Sequence, residues 1–175
     1  MSALLNRLLG RKDAVTVDAR RIYSKLMAQS RNPEFFGKGK VTDNYDGRID
    51  LLTLHIATVL NALNAHGEQG RRLSQGLYDV MRDDFEIAMR EEGISDTGIK
   101  RRIVPMMQLF FTRVKTYVEA LQNQTDLKAV FSQGLLENGA DVFKGELESH
   151  ISHFSNELSK KSLGEIAMAK FSFRK

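Results

Sequence analysis

Apolar residues recur at helical spacing through three long stretches between Asp46 and Leu121, and this pattern leaves little room for any fold but a helical one. The first stretch, from Gly47 to Ala65, places Ile49, Leu52, Ile56, Val59, Leu60 and Leu63 on one side. The second, from Glu68 to Glu91, does the same with Leu73, Leu77, Val80, Met81, Phe85, Ala88 and Met89. The third, from Thr97 to Leu121, uses Ile99, Ile103, Met106, Met107, Phe110, Val114, Tyr117, Val118 and Leu121. Between the last two lies Arg90-Glu91-Glu92-Gly93-Ile94-Ser95-Asp96. Gly93 can take the left-handed conformation that ends a helix, and Ser95 or Asp96 can cap the next one. The expectation is a long antiparallel hairpin. Pro105 removes a backbone donor inside the third stretch, so a kink or break near Arg101 is expected.

The remainder adds shorter helical patterns. Ala14 to Ser30 repeats Val15, Ala19, Ile22, Tyr23, Leu26 and Met27, and Asn32-Pro33 opens a short turn of helix. A loop follows from Gly37 to Asn44. Beyond Thr125 two further helices are expected around Leu127–Leu136 and Val142–Leu158. No run alternates as a strand, so the expected class is all-α, a compact bundle of about six to seven helices. Three segments are expected: a basic amphipathic arm over residues 1–12, a helical body over 13–160 and a basic tail over 161–175, either a docked strand-like end or disordered.

Within this framework Asp46-Gly47-Arg48-Ile49-Asp50 and His55, Leu77-Tyr78-Asp79-Val80-Met81 with Asp83, Arg90-Glu91-x-Gly93-x-x-Asp96, and Phe110-Phe111-x-Arg113 with Tyr117 occur in that order. This order resembles the ubiquinol–cytochrome c chaperone family over Tyr23 to Leu121 and weakens after Thr125. The resemblance implies a non-enzymatic assembly chaperone for respiratory complex III. Its client would be newly made cytochrome b, with a small second protein as a possible partner. Partner-binding residues are expected at Asp46, Arg48, Asp50 and His55 on the first joint, and at Asp79, Asp83, Arg90, Asp96, Lys100 and Arg113 around the hairpin. Thr112 and Glu92 stand where the family often has a small residue and a Met-type residue, which bears on client preference rather than fold.

The charge is unevenly placed. The first forty residues hold nine Lys or Arg against three Asp or Glu, a net of +6, while the rest nets −2. Leu4, Leu5, Leu8 and Leu9 beside Arg7, Arg11 and Lys12 suit a helix at an anionic surface, whether bilayer or ribosome, although packing against the body explains them as simply. The alternative function is therefore a peripheral membrane or nucleic-acid adaptor using this arm. No apolar run is long enough to cross a bilayer, and the first ten residues make a poor secretory signal. A bacterial cytoplasmic protein, peripheral at the inner membrane, is the preferred location; the matrix side of the mitochondrial inner membrane is the alternative.

Other clusters have plainer explanations. Asp79, Asp83, Asp84 and Glu86 could hold a hard cation, but a partner-facing acidic patch fits better. Glu146, His150, His153 and Glu157 imitate a metal-ligand column, yet read as a polar stripe opposite Leu147, Ile151, Phe154 and Leu158. Lys100-Arg101-Arg102 after a turn imitates a DNA-reading helix, but the flanking helices are too long for that motif, so no DNA partner is expected. His55 is expected to be a satisfied, partly buried imidazole. Met81, Met89, Met106 and Met107 with Phe85, Phe110 and Phe111 suit a core by default and an adaptable client groove otherwise. The chain contains no cysteine, and no phosphate loop or nucleophile motif is present, so no cofactor, metal or enzymatic activity is expected.

Overall fold

A computed structural model describes residues 2–123, 126–136 and 139–173, with side chains from Ala14 onward. Seven α-helices follow one another: α1 (Ser2–Ser30), α2 (Tyr45–Asn64), α3 (Gly67–Glu91), α4 (Asp96–Asn123), α5 (Leu127–Ser132), α6 (Asp141–Ser159) and α7 (Leu163–Ala167). A turn of 3-10 helix, Pro33–Phe35, follows α1, capped by the Asn32 side chain. Among the described residues the one β feature is an isolated bridge between Phe36 and Val41. The all-α expectation holds.

Helix α2 is the axis of the structure. Every residue from Asp50 to Val59 is buried, which is more than one face of an amphipathic helix can supply. Two apolar cores meet on it. Leu52, Ile56, Val59 and Leu63 pack with α1, α3, the first half of α4 and the C-terminal segment, around Ile22, Leu26, Leu77, Met81 and Phe154. Leu51, Leu54 and Ala57 face the second core, made by Tyr117 and Ala120 of α4 with Phe131 of α5 and Leu147 and Ile151 of α6.

The hairpin joint forms as its sequence requires. Gly93 sits at φ +80°, its N–H reaches the Arg90 carbonyl, and the Ile94 N–H returns to Met89. This bond pair closes α3 and satisfies two of its last carbonyls. The Ser95 hydroxyl accepts from the Gly98 N–H at the start of α4.

Three expectations change. Helix α4 runs unbroken through Pro105, whose side lies exposed. Helix α5 is one short turn and a half, ending at Ser132 rather than Leu136. Finally, the segment 161–173 is docked, as one of the two expectations had it, but through a helix rather than a strand-like end. Ser162 and Glu165 form a capping box that starts α7, and Ile166 and Phe171 are fully or almost fully buried. Ala169 then takes φ +51°, and Lys25 of α1 donates to the carbonyls of Ala169 and Phe171.

The α2–α3 junction is unusually close. A Cβ on Gly70 would fall inside the contact radius of the Leu63 carbonyl oxygen. Replacing glycine by alanine within a helix ordinarily stabilises it by about 1 kcal/mol. Here the order reverses: Gly70→Ala is expected to lower the thermal midpoint, and a rise measured by circular dichroism would contradict the close approach.

Candidate functional site

The expected partner residues divide into an interior group and a surface group. Asp50 is only 3% exposed. It accepts from the Tyr117 hydroxyl at 3.0 Å and faces Arg113 at 3.4 Å, so three signature residues from α2 and α4 form one knot between the cores. Burial pushes the Asp50 carboxyl above its ordinary range, while Arg113 and Tyr117 pull the other way. Burial beside Asp50 pushes the Tyr117 phenol well up, which keeps it a donor.

His55 is wholly buried rather than partly so. Its Nδ1 lies 2.8 Å from the Leu51 carbonyl, which can only accept, so Nδ1 carries the proton. The Ser30 oxygen lies 3.1 Å from the same nitrogen. Nε2 of His55 is therefore an acceptor, and Nε2 of His150 donates to it across 3.0 Å. Phe35, Phe154 and Phe173 surround the two rings. Both imidazoles are neutral at pH 7. Burial and the neighbouring ring push His55 down to about 3, and burial with His153 nearby pushes His150 down to about 4. The polar column of α6 is thus split: His150 turns inward, while Glu146 and His153 stay exposed and Glu157 pairs with Lys161.

The surface group is scattered over three places. Asp46 lies exposed in the first turn of α2, and Arg48 pairs with Asp43 at 2.7 Å over the Phe36 ring. Around the hairpin Arg90 bridges Glu86 and Asp96, each at 3.5 Å, and Lys100 is exposed. Asp79 and Asp83 point outward from α3, with Asp79 accepting from Gln75. The side chains of Arg7, Arg11 and Lys12 lie outside the described residues. Met81, Met89, Met107, Phe85 and Phe110 are core, and only Phe111 is fully on the surface, stacked on Tyr78 at 5.0 Å between centroids.

Asp83 belongs to a feature the sequence alone did not disclose. An open groove of about 610 Å³ lies between residues of α1 and α3. Met27, Val80 and Ile87 give it apolar walls, with Ile87 half exposed. Arg20 and Arg31 line it from α1, and Asp83 and Asp84 from α3; the Tyr23 hydroxyl donates to Asp84 at 2.7 Å. Such a groove can hold an apolar side chain or two of a peptide and pair charges of either sign at its rim. Gly76, which lets α1 approach α3 near Val15, was the available sequence signal, but it does not identify a groove by itself. No group of described residues has the arrangement of a metal site.

Internal knots that fix the helices, with charges displayed around an open groove, define an all-α scaffold suited to binding another protein. Residues 38–157 match the ubiquinol-cytochrome C chaperone family, more than half of the chain, and the protein belongs to that family. Its fold is similar to that in the crystal structure of the Cbp3 homolog from Brucella abortus, with a TM-score of 0.79 at 23% identity, covering 98% of this chain and 97% of that one. Among curated proteins none matches significantly.

Two stability measurements separate interior from surface roles. Asp50→Ala strands Arg113 and Tyr117, and a loss on the order of 3 kcal/mol is expected in urea unfolding. Arg48→Ala breaks an exposed pair and should cost under about 1 kcal/mol. The second measurement concerns pH. Both histidines have folded pKa values below the unfolded value near 6.5, so the unfolded chain binds protons first as pH falls. Stability should decline from pH 6.5 towards 4, by up to about 1.4 kcal/mol per histidine per unit. Replacing both with leucine (H55L/H150L) should flatten that slope; an unchanged slope would assign it to other groups.

Proposed function

We propose that this protein is a holding chaperone for newly made cytochrome b, acting in the biogenesis of ubiquinol–cytochrome c reductase. The observation that carries this reading is membership of the chaperone family across residues 38–157. The action is binding. A client segment lays apolar side chains between α1 and α3 against Met27, Val80 and Ile87, and its basic flanks meet Asp83 and Asp84 of the lining and Asp79, exposed one helical turn before Asp83. Loops of membrane proteins that stay on the cytoplasmic side are rich in Lys and Arg, so an acidic edge beside an apolar groove suits such a client. Each buried Leu- or Phe-sized side chain contributes roughly 1.5–3 kcal/mol, so a few contacts give reversible holding. The place of action is the cytoplasmic side of the inner membrane, where a small second protein can complete the complex.

Charge reversal at the edge tests the reading. The variant D79K/D83K alters two exposed carboxylates and should retain full helicity while capturing cytochrome b an order of magnitude less well. Capture is read by co-purification from cells making cytochrome b. Undiminished capture by the folded variant removes the acidic edge from the mechanism.

A further inference from the structure

From Thr97 to Val118, helix α4 contains no acidic residue. Over the same span it carries Lys100, Arg101, Arg102, Arg113 and Lys115. Arg113 is committed to Asp50, and Lys115 reaches Glu119 at 3.8 Å. Lys100, Arg101 and Arg102 make no ion pair or side-chain hydrogen bond among the described residues, and all three are exposed. The carboxylates nearest in sequence stand at the ends of the span, where Asp96 is held by Arg90 and Glu119 by Lys115.

Large apolar side chains are interleaved with these cations. Val104 is 55% exposed, and Leu109 and Phe111 are each 51% exposed. Helical spacing puts Lys100, Val104, Phe111 and Lys115 along one flank of the outer face. Arg102 and Leu109 lie along the other, with Arg101, Gln108 and Thr112 between them. The buried side of the same helix is fully used by Ile99, Ile103, Met107, Phe110 and Tyr117, so the outer residues are not spare core. Phe111 has only Tyr78 and Phe110 as ring neighbours among the described residues.

We infer that the outer face of α4 is the surface by which this protein docks on an anionic phospholipid bilayer. Charge complementarity selects the occupant. Unpaired Lys and Arg are attracted to acidic headgroups, and Val104, Leu109 and Phe111 can enter the boundary between headgroups and acyl chains. A nucleic acid would use the cations but offers no apolar phase for Val104 and Leu109. The helix lies on the surface and does not cross it: no helix among the described residues is long and apolar enough to span a bilayer. Because α3 gives one flank to α1 and another to α4, the bilayer-facing helix and the client groove occupy different flanks of α3. The inference concerns this surface and does not depend on which client the groove takes.

The protein contains no tryptophan, so one introduced ring reports on one place. Phe111→Trp in the full chain is titrated with vesicles of phosphatidylcholine alone and of phosphatidylcholine with phosphatidylglycerol. A blue shift of its emission is expected only with the anionic vesicles, reversed by added salt. Ile87→Trp, in the groove, should not shift. Adding Arg101→Gln and Arg102→Gln to the Phe111→Trp chain should weaken vesicle affinity about fivefold for each cation removed. All these positions are exposed, and circular dichroism checks that the variants stay folded. An unshifted Phe111→Trp spectrum on anionic vesicles overturns the inference. So does full affinity in the double-Gln variant, or loss of affinity only when Arg7, Arg11 and Lys12 are replaced. Binding of ribosomal RNA fragments without binding of anionic vesicles overturns it too, in favour of the nucleic-acid partner.

Discussion

Helix α2 is buried on all sides across Asp50 to Val59 while carrying a carboxylate, an imidazole and two hydroxyls, and the rest of the structure is arranged to satisfy them. Thr53 and Thr58 solve the problem locally, each donating to the carbonyl four residues earlier. Asp50 cannot, and His55 does so at only one of its two nitrogens, Nδ1, which donates to the Leu51 carbonyl. Asp50 requires Arg113 and Tyr117 from α4, and the Nε2 of His55 requires His150 from α6, while Ser30 of α1 approaches its Nδ1. An unpaired polar group at such depth costs several kcal/mol, so these bonds do more than add stability. They fix which helix lies where. Apolar contacts alone would tolerate sliding of one helix along another, whereas each knot is satisfied in one register.

That division of labour bears on the family signature. Its charged residues look alike in the sequence, yet Asp50, His55 and Arg113 are structural members of the interior, whereas Asp46, Asp79, Asp83 and Lys100 are displayed to solvent. A binding scaffold needs both. The groove between α1 and α3 keeps its width only if the helices behind it are held, and α2 contacts α1, α3, α4 and α6 together.

The long helices and the hairpin joint were legible because apolar period, Gly93 and Ser95 all act locally. Helix α7 was missed although Ser162-Leu163-Gly164-Glu165 has the spacing of a capping box, because a five-residue helix has no room for periodicity. The expected break at Pro105 did not form. A proline costs a helix one hydrogen bond and some crowding, and the packing of Ile103, Met107 and Phe110 on either side of it outweighs that cost. The pairing of His55 with His150 spans 95 positions and leaves no trace at either end, since a histidine among apolar neighbours looks the same whether its partner is a carbonyl or another ring. The groove was invisible for a similar reason: it depends on how two helices face each other, not on what either is made of.

The C-terminal segment closes this interior. Phe173 stacks against His150 and edges onto His55 and Phe154, and Lys25 clasps the backbone of Ala169 and Phe171 from across nearly the whole chain. During vectorial synthesis, α1 must therefore wait for a lid made almost 150 residues later. In the folded chain Phe173 covers one side of the imidazole pair, and Phe171 and Phe173 add two aromatic rings to the first core. In this member of the chaperone family, the first helix is thus completed by residues almost 150 positions further along the chain.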